Sequence, residues 1–305
     1  MKKKGFLYNI FKYKTIYLFM LPGILYYIVF AYFPMYGILV AFQNYNPVDG
    51  IAGSPWVGLE NFKNLFSSIL FGRIVTNTLI ISAMKLILAF PLPILLAIML
   101  SNIRNLAAKR IMQTISYLPH FISWVIVAGL VYIIFNSNFG VLAGIFKAFG
   151  MEYTDMSRDP NTFRWFLLLT TVWKTTGWNT ILYLAAITGV DEELYEAAKI
   201  DGANKFQQIM KILMPSIMPT IAVVFILNVG SILAQDFEQI YVLSGGNPSV
   251  LAVADVLESY VFREGIRANN FSFPATVGIF QSVFGLILIM ITNKFAHKLG
   301  YEGIW

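Results

Sequence analysis

Ile74-Val-Thr-Asn-Thr-Leu-Ile-Ile-Ser-Ala-Met-Lys-Leu-Ile-Leu-Ala-Phe-Pro-Leu-Pro-Ile-Leu-Leu-Ala-Ile-Met-Leu100 decides the fold of this chain. Only Lys85 interrupts the run with a charge. A helix rises about 1.5 Å per residue and the hydrocarbon core of a bilayer is about 30 Å thick, so about 20 such residues cross it. Lipid offers no partner to backbone N–H and C=O groups, so the segment must pair its own and be helical. Pro91 and Pro93 would argue against a helix in water. Inside a bundle, neighbouring helices satisfy the freed carbonyls, and the prolines predict kinks.

Working outward, the pattern recurs at residues 16–42, 111–135, 165–189, 217–234 and 274–292, with Pro22, Pro34 and Pro219 as further kink sites. The expected fold is all-α: six transmembrane helices over residues 16–293, between an N-terminal segment, 1–15, and a C-terminal tail, 294–305. Composition agrees. Of 305 residues, 57% are hydrophobic and 12% charged, against roughly 25% charged in a soluble domain. The start, Met1-Lys2-Lys3-Lys4, resembles a signal peptide, but the apolar stretch after it is long, holds two prolines and ends in Phe42-Gln43-Asn44, so a retained first helix is expected.

With no cysteine, disulfides and thiolate metal sites are excluded. The net charge of +6 does not indicate nucleic-acid binding, because the basic residues sit at helix ends and not in an aromatic-interleaved patch. They do orient the chain. If both termini are cytoplasmic, the inner segments hold Lys2, Lys3, Lys4, Lys12, Lys14, Arg104, Lys109, Arg110, Lys199, Lys205, Lys211, Lys294 and Lys298. The longer outer segments hold only Lys63, Arg73, Lys147, Arg158, Arg164, Arg263 and Arg267. The positive-inside bias therefore favours cytoplasmic termini. Asn46-Pro47, Gly53-Ser54-Pro55-Trp56 and Gly245-Gly246-Asn247-Pro248 mark ordered outer loops. Residues 141–149 and 251–262 have the pattern of short amphipathic helices at the outer surface, or of plain loop packing.

The inner loop at 190–215 reads Val190-Asp-Glu-Glu-Leu-Tyr-Glu-Ala-Ala-Lys-Ile-Asp-Gly-Ala-Asn-Lys-Phe-Gln-Gln-Ile-Met-Lys-Ile-Leu-Met-Pro215. It predicts two helices broken at Gly202. Asp191 is placed to cap the first, and Glu192 and Glu193 suit the positive end of its dipole. Phe206, Ile209, Met210 and Leu213 fall on one stripe of the second, and Pro215 marks re-entry to the membrane. An ordinary amphipathic hairpin and a hairpin that seats in a partner's groove both fit this pattern.

The spacing from Glu196-Ala197-Ala198 to Gly202 and on to Ile212-Leu213-Met214-Pro215 resembles the EAA loop of ABC importer permeases, with Met214 where that family has leucine. Trp56-Val-Gly-Leu-Glu-Asn-Phe62 is similar to the outer-loop motif of the carbohydrate-type, MalF-like group. Asn293-Lys-Phe-Ala-His-Lys-Leu-Gly-Tyr-Glu-Gly-Ile-Trp305 and Lys85-Leu-Ile-Leu-Ala-Phe-Pro-Leu-Pro93 resemble LplB-like polysaccharide permeases of Gram-positive bacteria. The resemblance implies a type I (MetI-like) permease fold in the plasma membrane and import of a carbohydrate by alternating access. It places Glu196, Ala197, Ala198, Asp201, Gly202, Ile212 and Pro215 at the contact with an ATP-binding subunit. It further implies a second permease subunit, two ATP-binding subunits carrying ATP and magnesium, and an extracellular solute-binding lipoprotein. No cofactor is expected on this chain, and no Gly-x-x-x-x-Gly-Lys-Ser/Thr loop occurs in it.

Within the spans, Thr171, Lys174 or Thr175, and Trp178 recur one turn apart. Aromatic faces with hydroxyl and amine donors suit sugars, whereas tryptophans at a lipid–water belt are the plainer account. The resemblance carries Thr171, Lys174, Thr175, Trp178, Ser231 and Gln235 to sugar-contacting positions, with Ile232 departing from the polar residue expected there. Lys85, near the middle of its span, is either a pathway group or a structural contact, with Asp236 and Glu238 as candidate partners. Lys85 and Lys174 together raise the possibility of an acidic sugar. His120 and His297 suggest structural or surface roles. A secondary transporter, which would need coupling-ion groups at midplane, and a membrane solute sensor are the rival classes.

Overall fold

The computed structural model describes residues 12–234, 237–298, 300–301 and 303–304. Gln235 and Asp236 lie outside the described residues, as do Lys2, Lys3 and Lys4. Among the described residues the chain is helical, apart from one antiparallel bridge between Gln43 and Trp56. The principal elements are α1, Lys14–Phe42; α2, Ile69–Ser101; α3, Leu106–Phe121; α4, Trp124–Phe135; α5, Phe163–Thr188; α6, Glu192–Ile200; α7, Lys205–Gly230; and α8, Ser272–Lys298.

Four of these, α1, α2, α7 and α8, are long and apolar enough to cross a membrane, and the bent pair α3–α4 makes a fifth span. The sixth is α5. Its 26 residues reach about 39 Å, but Arg164, Thr170, Thr171, Lys174, Thr175, Thr176, Asn179 and Thr180 make it too polar to pass on apolarity. Those polar residues are what the rest of the structure uses.

The expected single helix over 111–135 is instead two helices meeting at 101°. Pro119 has no N–H to continue the ladder, the last turn of α3 tightens into a 3-10 turn at Leu118–Phe121, and Ile122 is extended. Ser123 then caps α4 by accepting the Ile126 N–H. A second difference concerns residues 251–262. They are not surface helices: Val250 and Ala254 of the short helix Pro248–Ala254, Leu257 of the helix Leu257–Phe262 and Val256 between them are fully buried. The helix Val141–Ala148, by contrast, buries nothing.

Three other prolines are absorbed rather than helix-ending. Wide π turns at Ile28–Tyr32, Lys85–Ala89 and Ile209–Leu213 each stop two residues before a proline, Pro34, Pro91 and Pro215. In each, the residue preceding the proline closes the turn by donating to the carbonyl five residues back, as Phe90 does to Lys85 at 3.0 Å. The wider turn makes room for a ring that a regular turn would drive into the preceding carbonyl. Pro215 therefore lies inside the continuous α7.

The chain divides into two units. The first, residues 1–67 with 264–279, holds α1 and the loop after it. Asn61 of the Trp56–Phe62 motif donates to the Ala41 and Gln43 carbonyls, both at 2.9 Å, and Trp56 stacks on Phe42 at 5.6 Å. Ser272 donates to the Gln43 carbonyl at 2.7 Å. These bonds serve carbonyls at and just beyond the end of α1, where the helix ladder stops.

The second unit, residues 68–263 with 280–305, has two apolar cores. One gathers Ile81, Trp124, Phe163, Phe166, Leu167, Ile240 and Val256. The other gathers Ile94, Ala97, Leu100, Tyr183, Leu184, Leu213 and Ile217. Helices α2 and α5 run through both. Helices α3 and α5 cross at Gly177, where a Cβ would sit 1.9 Å from the Ser116 carbonyl oxygen. Because that neighbour is backbone, Gly177→Ala is expected to cost about 1–3 kcal/mol and to lower the melting midpoint of the purified protein by several degrees; an unchanged midpoint would refute the close crossing.

Candidate functional site

Between the two cores lies a cavity of about 700 Å³. Helix α2 enters it just after Ile81 and leaves just before Ile94. Ser82, Lys85, Leu86, Ala89, Phe90 and Pro93 line that wall. Helix α5 contributes Thr171, Thr175, Trp178, Asn179 and Tyr183, and Val224, Asn228, Ser231 and Ile232 complete it from α7 and the turn that follows. Of the residues expected from sequence, the structure brings Lys85, Thr171, Thr175, Trp178 and Ser231 together here. Asn179, Asn228 and Ser82 line it too. Their polarity within apolar runs was the available signal.

Lys174 is not in the lining, although it shares the helix with Thr171 and Trp178. It is buried, and its ammonium donates to the carbonyls of Ile122, His120 (2.8 Å) and Pro119 (3.4 Å) and sits 5.4 Å from the centre of the Trp124 ring. A lysine in this setting serves the carbonyls that the 101° break leaves without helix partners. The sequence shows a lysine one turn from Thr171 and Trp178. The break that claims it is a tertiary feature.

Lys85 does line the cavity, and its Nζ donates to Gln239 Oε1 at 3.0 Å. Gln239, fully buried, donates through Nε2 to the Leu167 carbonyl (2.9 Å) and the Thr170 (3.0 Å) and Thr171 (2.9 Å) hydroxyls. Sequence reasoning missed Gln239. It pins the helix Phe237–Ser244 to α5 and holds one acceptor toward Lys85. Of the candidate partners, Glu238 is exposed and Asp236 lies outside the described residues.

The hairpin forms largely as its residues dictate. Asp191 accepts the Glu193 N–H at 2.9 Å, and Gly202 turns the chain at φ +78°, a conformation a Cβ resists. Asn204 and Gln207 form a reciprocal capping box at the start of α7. The stripe expected on α7 splits: Leu213 is buried and Ile209 half-buried, while Phe206 and Met210 are exposed. The π turn at Ile209–Leu213 adds a residue to the turn and shifts the register, so spacing by three and four no longer marks one face. Glu196, Ala197, Asp201, Gly202 and Pro215 are exposed, and Ala198 and Ile212 half-buried. Ile200, exposed at 87%, joins Leu194, Phe206 and Met210 as uncovered apolar surface. A second cavity, about 510 Å³, lies behind the hairpin with Glu196, Tyr195, Lys199, Lys205 and Gln208 in its wall. Burial there raises the Tyr195 hydroxyl above its ordinary pKa, so it stays protonated.

Residues 89–299 match the family model of the binding-protein-dependent transport system inner membrane component. The chain belongs to this family. It is a multi-pass membrane permease subunit of an ABC importer, with the fold the EAA-type spacing implied. This permease is 41% identical over 304 residues to the polygalacturonan/rhamnogalacturonan transport system permease protein YteP of Bacillus subtilis, covering 100% of this chain and 94% of that one. It is 40% identical to protein LplB of the same organism, over 96% of this chain and 91% of the relative. In structure it matches a chain of a bacterial alginate ABC transporter, crystallised with an alginate pentasaccharide-bound periplasmic protein, at a TM-score of 0.89 and 34% identity, covering 99% of the permease and 100% of that chain.

The geometry assigns Lys174 to the frame. Lys174→Met would strand the Pro119, His120 and Ile122 carbonyls, at about 1–3 kcal/mol. A clear fall in melting midpoint is expected, and no fall would return Lys174 to the list of pathway groups.

Proposed function

We propose that this permease passes an oligosaccharide, released from a polysaccharide, through the 700 Å³ cavity under the control of ATP-binding subunits seated on the hairpin. The observation that carries this reading is a connection. Helices α5 and α7 both wall the cavity, and the hairpin joins their other ends. A displacement of α6 therefore acts on two cavity walls at once. Uncovered Leu194, Ile200, Phe206 and Met210 give a partner apolar surface to cover, and Ala197 allows close approach. ATP-driven closure of the partner subunits would move α6 and open the cavity outward, and hydrolysis would reset it. The distribution of basic residues supports a cytoplasmic hairpin and cytoplasmic termini; in this reading a second permease subunit completes the pathway and an extracellular binding protein delivers the sugar.

The lining suits a sugar. Thr171, Thr175, Ser82, Ser231, Asn179 and Asn228 supply hydroxyl and amide partners, and Trp178, Phe90 and Tyr183 supply flat faces for C–H surfaces. Gly202→Pro and Glu196→Lys should leave the assembled complex in the membrane yet reduce uptake about tenfold or more, with ATP hydrolysis no longer raised by loaded binding protein. Normal uptake in both variants would remove the coupling assignment.

An acidic oligosaccharide is supported by one more observation. Among the described lining residues the cavity holds Lys85 and no carboxylate, and the relatives' names include polygalacturonan and alginate. With Lys174 committed to the frame, Lys85 alone carries this reading. Lys85→Gln is expected to lower uptake of trigalacturonate several-fold while sparing a neutral trisaccharide. Equal loss of both would assign Lys85 to structure.

A further inference from the structure

The Trp178 indole, which lines the cavity, is backed by the His120 imidazole. The two rings are parallel within 2°, with centres 4.5 Å apart. Phe121 meets the same indole edge-on at 5.4 Å and 85°. One face of Trp178 is thus covered by a ring from the break between α3 and α4, while the residue keeps 40% of its surface exposed. The backing ring is itself held. Lys174, one turn before Trp178 on α5, donates to the His120 carbonyl at 2.8 Å, and the close crossing at Gly177 fixes the separation of the two helices. Backbone bond, helix contact and ring stack tie the same few residues of α3 to the same turn of α5.

The imidazole is not held there by hydrogen bonding at Nδ1, which is buried without a partner. Leaving such an atom unpaired is unfavourable, so what the side chain contributes at this position is its flat face. An indole free to rotate on its two side-chain torsions would lose much of its value as a stacking surface, because ordering it would fall to the ligand.

We propose that His120 is a positioning residue for substrate: it holds the Trp178 indole as a flat platform on the cavity wall, on which one sugar ring stacks. This rests on the reading that the cavity takes an oligosaccharide. It adds that the break in the third span is part of the binding site, so the stacking surface moves with the α3–α4 junction when the bundle changes state.

The test uses the full importer, with its second permease and ATP-binding subunits, in lipid nanodiscs. Trigalacturonate is titrated against tryptophan emission, and each variant is blanked against the same complex carrying Trp178→Phe. His120→Ala should raise the half-quenching concentration about tenfold, the scale of one aromatic stacking contact, with little change in melting midpoint. His120→Phe, which restores a flat ring without the nitrogens, should bring the value back. The proposal is overturned if His120→Ala binds as the parent does, or if His120→Phe is as weak as His120→Ala. Failure of the underlying reading looks different: Trp178→Ala would then leave uptake and its trigalacturonate dependence unchanged. Weakened uptake in Trp178→Ala with parental binding in His120→Ala would remove the positioning role alone.

Discussion

A backbone carbonyl inside a bilayer must find a donor within the protein, and at several interruptions of the helices described in this permease a side chain supplies one. Lys174 serves the carbonyls at the 101° break between α3 and α4. Arg164 donates to the Val253 carbonyl at 2.9 Å, and Asn77 to those of Ala252 and Asp255. Those bonds let the junction of two short helices lie in the core. Asp255, for its part, pairs with Arg263 at 2.7 Å. Ser82 donates to the Ile232 carbonyl where α7 ends, and Asn61 serves Ala41 and Gln43 at the end of α1. The polar residues of the spans are in large part the complement of the breaks, so a polar group in a span cannot be assigned to transport before the breaks are known.

Prolines follow a related rule. At Pro34, Pro91 and Pro215 the helix widens into a π turn just ahead of the ring and continues. Two of these turns adjoin the cavity or the hairpin: Lys85 begins one, and the other joins the hairpin to the rest of α7. Single π turns inside helices are frequent at functional sites.

Sequence legibility followed the range of the interactions. Apolar runs, the Asp191 cap and the Gly202 turn are local properties and were readable from residue order. The hairpin's resemblance to the EAA loop came from its spacing. Cavity residues on α5 were readable because they recur one turn apart with mixed aromatic and hydroxyl character. What was not legible depended on pairs distant in sequence. Lys174 shares its helix with true lining residues, yet its partners lie more than fifty residues away. Gln239 carries no sequence signal of its own; its place is set by Lys85, Thr170 and Thr171, which converge on it from distant positions. The α7 stripe failed for a different reason: a period of 3.6 was assumed across a turn that does not have it.

These points converge on α5. It is the most polar of the spans, and it meets both apolar cores, lines the cavity over its middle turns, clamps the α3–α4 break through Lys174 and ends at the hairpin. Helix α5 runs without a break from Phe163 to Thr188, whereas its neighbours are interrupted. Helix α2 widens at Lys85–Ala89 and α7 at Ile209–Leu213. In this arrangement one wall of the cavity is an unbroken helix carrying Thr171, Thr175 and Trp178, and the helices that supply the other walls each contain a π turn. Polarity, costly in a membrane span, is concentrated on α5, where partners fixed by the bundle satisfy much of it and Thr171, Thr175 and Asn179 line the cavity.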